Sequence, residues 1–243
     1  GAARVAYLGL YSLQHRGQES AGIVVVDREG LARSHRGMGL VSDIFGEAAL
    51  AGLPGDVAIG HTRYSTAGSS VIANAQPILA GYREGPLGLA HNGNLTNAEA
   101  LRSDLVAKGS IFQSSSDSEV LIHLVARSEA REPEDQLLDA LERVEGAYSL
   151  VVTIGRTLYA IVDARGFRPL WLGKLGSGHV VASETCALDL IGATPVHEIG
   201  PGEFLRIDPQ GGEVTLLPSL AAKAHRRCIF ELEYFSRPDS TIF

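Results

Sequence analysis

The sequence predicts an α+β layered sandwich, with strands packed face to face and helices outside. Short apolar, often β-branched runs bounded by Gly, Pro or Asp indicate strands. They come first in pairs, give way to consecutive helical segments, and then return. That order does not suit a repeated βαβ unit with a parallel sheet, in which strands and helices alternate. No internal repeat and no hinge rich in Pro, Ser or Gly interrupts the series, so we expect one domain over residues 1–243.

The predicted strands follow from local composition. The apolar runs that indicate them are Ile23–Val26, Val57–Ile59, Leu87–Ala90, Leu150–Ile154, Leu158–Val162, Val180–Ala182 and Phe204–Ile207. Hydrophobic residues make up 45% of the chain, which is enough for a large core.

Three helices have recognisable starts. Capping boxes, in which Ser or Thr and a Glu three residues later satisfy backbone N–H groups, are predicted at Thr96–Glu99 and Ser116–Glu119. The first helix should end at Gly109, and the second should cover Val120–Ala126. A third helix is predicted over Asp135–Val144, entered shortly after a proline and stopped by a glycine.

Composition limits the partners and the compartment. The net charge is −7 and no block of Lys or Arg occurs, so neither nucleic acid nor an anionic membrane is an expected partner. No apolar run is long enough to span a bilayer. The two cysteines, Cys186 and Cys228, make no disulfide framework, which fits a reducing cytoplasm.

Polar residues cluster at the ends of the predicted strands, which is where binding sites are usually built. The segments are Gln14–Glu19, Gly60–Thr66, His91–Asn94 and Ser114–Asp117. Each also has an ordinary structural interpretation. Asn92-Gly93 is a strong signal for a type I′ hairpin turn, and Asp117 suits the first turn of a helix. Arg16 and Arg63 could each serve a surface ion pair.

The residue types exclude several chemistries. His15, His61 and His91 lack the spacing of a zinc pair. No Gly-x-Ser-x-Gly elbow and no phosphate-binding glycine loop occurs. An Arg can bind a carboxylate with two hydrogen bonds, and an Asp can accept them from an ammonium group. The residues alone therefore predict only a pocket able to hold an amino acid.

Motifs in collinear order resemble the class II glutamine amidotransferases, which are N-terminal-nucleophile hydrolases, and among them the amidophosphoribosyltransferases. They are QHRGQESAG (14–22), GHTRYSTAG (60–68) with NAQP (74–77), HNGNLTN (91–97), SDSE (116–119), DARGFRPL (163–170), ASETCALD (182–189) and CIFELEYFSRPDS (228–240). The first and third are shared with other class II members, such as glucosamine-phosphate synthase.

The resemblance implies a four-layer αββα sandwich of two mainly antiparallel sheets. It also implies that glutamine is hydrolysed to glutamate and ammonia. Arg63 would bind the α-carboxylate of glutamine and Asp117 its α-ammonium group, with Tyr64 and Thr66 lining the pocket. We expect these residues to surround one cavity next to where the chain begins.

The catalytic groups follow from the same resemblance. The Asn92 side-chain amide and the Gly93 N–H would form an oxyanion hole, in which each donor contributes on the order of 3 kcal/mol. Arg16 would order the N-terminal segment and the nucleophile. The family's nucleophile is an N-terminal cysteine with its own α-amino group as base, whereas this chain starts at Gly1. We therefore expect a short stretch carrying the cysteine before Gly1.

Partners and cofactors are also implied by the resemblance. Ammonia would pass to phosphoribosyl pyrophosphate in a phosphoribosyltransferase domain expected after residue 243, where magnesium would be used. The product would be phosphoribosylamine, in the first step of purine synthesis, and the protein would be a homo-oligomer. No cofactor is expected in this chain, and Cys228 is either an inert buried cysteine or one ligand of an iron–sulfur cluster in the full-length protein.

Two alternative functions remain open. One is a glutamine-binding pseudo-enzyme or interaction module that has lost its nucleophile, which would keep Arg63 and Asp117. The other is the glutaminase domain of a sugar-phosphate amidotransferase, since the acceptor domain decides the product.

Overall fold

A computed structural model describes residues 1–64, 69–209, 212–218 and 220–241. Its helices are α1 (Ala2–Ser12), α2 (Val41–Ile44), α3 (Glu47–Ala51), α4 (Ala98–Ala107), α5 (Glu119–Arg127), α6 (Pro133–Arg143) and α7 (Thr185–Leu190). Its strands are β1 (Ser20–Val26), β2 (Ala32–Met38), β3 (Val57–Arg63), β4 (Ile78–Tyr82), β5 (Gly85–Leu95), β6 (Gly146–Ile154), β7 (Thr157–Val162), β8 (Trp171–Leu175), β9 (Gly178–Ala182), β10 (Thr194–Glu198), β11 (Phe204–Ile207) and β12 (Val214–Leu216). Short 3-10 turns at Gln14–Arg16 and Ile72–Asn74 and a π-helical turn at Glu231–Phe235 complete them.

The described strands form three antiparallel sheets. The largest has six strands in the order β12-β11-β7-β6-β5-β4. The two smaller sheets have three strands each, in the orders β2-β1-β3 and β10-β8-β9. Among the interior strands, β1 is buried along its whole length, and β6 and β7 are mostly buried.

The two small sheets lie on one face of the six-stranded sheet. An added Cβ on Gly88 of β5 would lie 3.1 Å from Ile59 Cδ1 of β3, so these strands approach closely. Ala160 of β7 and Leu172 of β8 share a second buried cluster. The opposite face of the large sheet packs against α4, α5 and α6 in the main core.

Helices cover the outer faces of the small sheets. Leu10 of α1 and Phe45 after α2 pack with Ile23 of β1. Leu188 of α7 lies against Gly173 of β8, where an added Cβ would be 2.9 Å from it. The predicted αββα sandwich is therefore confirmed, with one of its sheet layers divided into two three-stranded sheets.

Every strand predicted from an apolar run lies within an observed strand, and the three predicted helices form. The capping boxes do not form, because their side chains bind elsewhere. Thr96 donates its hydroxyl to the Glu145 carbonyl at 3.2 Å, and Glu119 accepts from the backbone N–H of Gln113 at 2.7 Å and of Ser114 at 2.8 Å. Tertiary contacts thus replace the local caps.

Within the described part of the chain, no helix combines the length and apolar character needed to cross a membrane.

Candidate functional site

A cavity of about 110 Å³ opens near the C-terminal ends of β3 and β5. This is several times the roughly 10–15 Å³ that one water requires, so it can admit a small molecule. Six of the residues predicted to form the site line it, namely Arg16, Arg63, Tyr64, Asn92, Gly93 and Asp117. Thr66 lies outside the described residues. The sequence prediction of one shared cavity is therefore supported by residues from separate parts of the fold.

Arg63 ends β3, and its side chain is only 5% exposed. Its Nη1 donates to Glu19 Oε2 at 3.2 Å and to the Ser69 carbonyl at 3.3 Å. Gly17 makes this packing possible, because an added Cβ there would lie 2.4 Å from the Arg63 carbonyl carbon. Tyr64 follows at the rim with 61% exposure. The guanidinium is thus held in place beside the cavity, as a carboxylate-binding site needs.

Asn92 and Gly93 lie inside β5, opposite Ser149 and Tyr148 of β6. Interpreting the pair as a type I′ hairpin turn was therefore wrong. An Asn-Gly turn joins two strands that follow each other, whereas β5 continues past Gly93 in its ladder with the distant β6. Asn92 Nδ2 is buried and has no hydrogen-bond partner among the described residues. A buried amide donor without a partner, in a cavity wall, is available to a ligand.

Asp117 lies just before α5 and is tied to the end of β5. Its Oδ2 accepts from the Leu95 N–H at 2.9 Å. Its other oxygen, Oδ1, is 3.9 Å from His91 Nδ1. Asp117 and Asn92 line the same cavity, so an ammonium group bound by Asp117 would share that cavity with the amide donor.

Gln76, His91 and Ser118 form a closed buried network beneath these groups. Gln76 Oε1 accepts from the His91 N–H at 2.8 Å, and Gln76 Nε2 donates to Ser118 Oγ at 3.1 Å. Ser118 Oγ also lies 2.9 Å from His91 Nδ1. The network joins the strand that carries Asn92 to the helix start that carries Asp117. Sequence reasoning assigned Gln76 and Ser118 no role, although both lie within the recognised motifs.

His61 and His91 are buried in the cavity wall and link the two sheet layers. His61 Nε2 donates to the His91 carbonyl at 3.0 Å. Burial lowers the pKa of His61 to about 4, against the opposing effect of that hydrogen bond. Burial also lowers the pKa of His91, although the Asp117 charge opposes the shift. Both rings are therefore neutral near pH 7, and the described residues contain no group of three side chains able to hold a metal ion.

Arg16 contributes a guanidinium to the cavity from the 3-10 turn after α1. Its Nη1 donates to Glu184 Oε1 at 2.7 Å, and its Nη2 donates to Glu231 Oε2 at 2.7 Å. Burial lowers the pKa of Arg16, but Glu231 and Glu184 outweigh it and raise the pKa above its ordinary value. The Arg16 guanidinium thus forms ion pairs with Glu184 and Glu231, and sequence reasoning did not identify either partner. The role predicted for Arg16 toward the nucleophile stays a prediction.

The sequence predicts a cavity next to Gly1, and this expectation is wrong. Gly1 is at the start of α1, where the Ala2 N–H donates to the Gly55 carbonyl at 3.2 Å. The other end of α1 approaches the cavity, since Leu13 lines it. The 11 residues of α1 correspond to about 16 Å at 1.5 Å per residue. Gly1 therefore lies at the opposite end of α1 from the residues that line the cavity.

Neither cysteine lines the cavity. Cys186 is buried in α7, with its thiol 3.8 Å from a Glu184 carboxylate oxygen, and Cys228 is partly exposed. Both are free thiols. The described cavity lining therefore holds no candidate for a thiol nucleophile.

Comparisons with known proteins agree with this geometry. Residues 61–190 match the Glutamine amidotransferase domain family. Amidophosphoribosyltransferase 2, chloroplastic, of Arabidopsis thaliana is 52% identical over 243 residues, covering 100% of this chain and 43% of the relative. Amidophosphoribosyltransferase of Bacillus subtilis is 45% identical over 242 residues, covering 99% of this chain and 50% of the relative. The chain thus spans about half the length of these relatives.

Solved structures show the same similarity. The glutamine phosphoribosylpyrophosphate (PRPP) amidotransferase from B. subtilis, complexed with ADP and GMP, matches with a TM-score of 0.91 at 44% identity. The match covers 99% of this chain and 52% of that chain. A glutamine aminotransferase class-II domain protein from Silicibacter pomeroyi, 19% identical with a TM-score of 0.55, shares the fold over 82% of this chain and 91% of that chain. The chain therefore belongs to the glutamine amidotransferase domain family, and over its whole length it resembles the matching part of the amidophosphoribosyltransferases.

Proposed function

We propose that this chain is the glutamine-hydrolysing part of an amidophosphoribosyltransferase. It releases glutamate and ammonia, and the ammonia converts phosphoribosyl pyrophosphate to phosphoribosylamine in the first step of de novo purine synthesis. The observation that carries the proposal is the meeting of Arg63, Asp117 and Asn92-Gly93 around one cavity. The names of the relatives and of the B. subtilis structure support the choice of acceptor.

Each group has a physical role in this proposal. Arg63 binds the α-carboxylate of glutamine and Asp117 binds its α-ammonium group, so both charges of the amino acid are neutralised. The side-chain amide then extends toward Asn92. The Asn92 Nδ2 and the Gly93 N–H donate to the oxyanion that forms when a thiolate adds to the amide carbon. Such donors act on charge that exists only in the transition state, so they accelerate the reaction rather than tighten binding.

The nucleophile in the proposal is the family's N-terminal cysteine, whose α-amino group takes the thiol proton. A thiol with a pKa near ~8.5 and an amine near ~8 exchange a proton at little cost near neutral pH. Because Gly1 lies at the end of α1 far from the cavity, and α1 is about 16 Å long, the proposal places the cysteine further before Gly1. A preceding extended segment that runs back along α1 would cover that distance in about five residues, at 3.3 Å each.

Two other functions compete with this one. A pseudo-enzyme would use the same Arg63 and Asp117 to bind glutamine without turnover. A sugar-phosphate amidotransferase would use the same glutaminase chemistry with another acceptor. The 52% identity to an amidophosphoribosyltransferase over the whole chain favours phosphoribosyl pyrophosphate over a sugar phosphate.

The test compares two activities of the full-length protein, each measured with phosphoribosyl pyrophosphate. Arg63→Ala and Asp117→Ala should abolish the glutamine-dependent activity and spare the activity with ammonia as donor. Arg28→Ala is a matched control, since Arg28 is 82% exposed and outside the cavity lining. If both activities fell together, the assigned roles would be wrong. If the unaltered protein bound glutamine without hydrolysing it, the pseudo-enzyme would be the correct function.

Other expected properties belong to the same proposal. Magnesium would serve the phosphoribosyltransferase reaction, the protein would be a homo-oligomer, and it would work in the cytoplasm or, as the name of the Arabidopsis relative states for that protein, in the chloroplast. An iron–sulfur cluster does not fit the described residues alone, because they contain no group of three metal-binding side chains. Cys228 would supply one of the four thiolates that a cluster requires.

A further inference from the structure

Four charged side chains form a buried chain of alternating sign, and three of them, Arg16, Glu231 and Arg168, line the cavity. Glu184 accepts from Arg16 at 2.7 Å, and Arg16 donates through its other nitrogen to Glu231, also at 2.7 Å. Arg168 Nη1 donates to the second oxygen of Glu231 at 2.7 Å. All four side chains are 15% exposed or less. The Glu231 carboxylate is thus shared by two guanidinium groups: Arg16 donates to both of its oxygens, and Arg168 donates to Oε1, which Arg16 also contacts at 2.9 Å.

The two arginines come from separate parts of the fold. Arg16 follows α1, and Arg168 follows β7, yet both line the cavity together with Glu231. Buried like charges repel each other unless a counterion lies between them, and removing one partner of a buried pair leaves an uncompensated charge. Glu231 is therefore the group that holds these two guanidiniums side by side.

Glu231 reaches the cavity from the C-terminal segment, residues 228–241, whose far end is also hydrogen-bonded to the other carboxylate of this charged chain, Glu184. Glu184 Oε2 accepts from the Arg237 N–H at 2.9 Å and from Ser240 Oγ at 2.8 Å. Burial would raise the pKa of Glu184, but hydrogen bonds from His15 and from the Arg237 backbone outweigh it and lower the pKa to about 2. This anchor stays ionised at neutral pH, so a change at Glu231 need not release the segment.

The same segment reaches the rim of the cavity. The Phe235 ring lies 5.7 Å from the guanidinium carbon of Arg16 and 5.7 Å from that of Arg168. It also contacts the Tyr64 ring, with the centroids 6.0 Å apart. The Arg168 carbonyl accepts from Ser149 Oγ at 2.7 Å, and Ser149 lies opposite Asn92 in the sheet. The segment therefore contacts Tyr64 in the substrate-binding part of the wall and, through Arg168, a residue hydrogen-bonded to the strand that pairs with Asn92.

We propose that Glu231 is a positioning residue for glutamine hydrolysis: its carboxylate fixes Arg16 and Arg168 in the cavity wall, and it makes turnover depend on the conformation of residues 228–241. This rests on the glutaminase function proposed above. Glu231 itself acts through the two arginines. Any displacement of the segment would move both guanidiniums relative to Asn92 and Asp117, while leaving Arg63 on its own anchors.

The experiment uses Glu231→Gln in the full-length protein, with glutaminase rates measured over a range of glutamine concentrations. Gln keeps the size of the side chain and removes the charge. We expect kcat to fall at least tenfold while KM for glutamine changes less than threefold, because Arg63 and Asp117 still bind the amino acid. Glu233→Gln is the matched control, since Glu233 is exposed in the same π-helical turn. It should behave as the unaltered protein.

The outcomes separate the inference from the proposed function. An unaltered protein without glutaminase activity would refute the function itself. If the unaltered protein is active and Glu231→Gln is as active as Glu233→Gln, the positioning role is overturned. It is also overturned if kcat falls only as much as the fraction of folded protein falls. If Glu231→Gln does not fold, Glu231→Asp becomes the test. It keeps the charge but shortens the side chain, so an unchanged kcat would overturn the inference.

Discussion

The Ala147 carbonyl oxygen lies so close to Gly93 that a Cβ added to Gly93 would be 2.0 Å from it. Gly93 also has a φ of +152°, which side-chain-bearing residues rarely adopt. Gly93→Ala should therefore push β5 away from β6 and displace the Gly93 N–H. We expect the free energy of unfolding to fall by roughly 2–4 kcal/mol, from backbone strain and overpacking together. Urea unfolding measures this change.

Gly81→Ala is the matched control for that variant. Gly81 lies in β4 of the same sheet, is exposed, and has no atom within 4 Å of an added Cβ. Its free energy of unfolding should change by less than about 1 kcal/mol. Equal losses in the two variants would contradict the claim that Gly93 is required by its contact with Ala147.

Asn92→Ala should lower kcat for glutamine hydrolysis without much change in KM. The reason is that its unpartnered Nδ2 is assigned to the oxyanion, which exists only in the transition state. Removal of one such donor costs roughly 100- to 1,000-fold in kcat. Steady-state kinetics of the full-length protein test this. Asn94→Ala, in the same strand but outside the cavity lining, should retain activity, and a large rise in KM for Asn92→Ala would instead assign Asn92 to substrate binding.

The local sequence predicted those strands whose position depends only on their own apolar residues. Apolar β-branched runs such as Val57–Ile59 located strands because burial on both faces demands them. The polar strand β2 had no such run, since it is an edge strand with alternating exposure. The Asn92-Gly93 turn was mispredicted for a related reason. A turn signal describes neighbouring residues, whereas the pairing of β5 with β6 is decided by distant chain.

The site shows the same division between local and distant information. Arg63, Asp117 and Asn92 were found because they lie in recognised motifs. The ion pair between Arg16 and Glu231 was not, because these residues are 215 positions apart and no periodicity links them. The distance of Gly1 from the cavity was equally hidden, since it depends on how α1 packs along β3.

Ser118→Ala should destabilise the protein although it removes only one oxygen. Ser118 Oγ accepts from Gln76 Nε2 at 3.1 Å and lies 2.9 Å from His91 Nδ1, and the residue is fully buried. Both partners would lose a hydrogen bond inside the core, which costs roughly 1–3 kcal/mol. Urea unfolding gives the value. Ser42→Ala, at an exposed position, should change stability by less than about 0.5 kcal/mol, and a similar small change for Ser118→Ala would show that water replaces the lost bonds.

The last prediction concerns His61 and the stability of the fold in mild acid. The pKa of His61 is about 4 in the folded chain because of burial, and about 6.5 in an unfolded chain. Between these values the unfolded state binds a proton that the folded state does not. The free energy of unfolding is therefore fully retained above pH ~6.5 and falls as the pH decreases toward ~4. The expected loss is roughly 3 kcal/mol from this residue.

His61→Gln should flatten that dependence, because Gln keeps a donor for the His91 carbonyl and cannot be protonated. Some slope should remain, since the pKa of His91 is also lowered by burial. Glu184 does not contribute in this range. Its folded pKa of about 2 means that its stabilisation is present above pH ~4.5 and is lost only below it. Urea unfolding between pH 7.5 and 5 isolates the histidines, with His197→Gln, an exposed residue, as control. If His61→Gln and the His197→Gln control lost stability equally steeply with falling pH, His61 would have to bind its proton in the folded state as it does in the unfolded state. Its hydrogen bond to the His91 carbonyl, which joins β3 to β5, would then be all that it contributes.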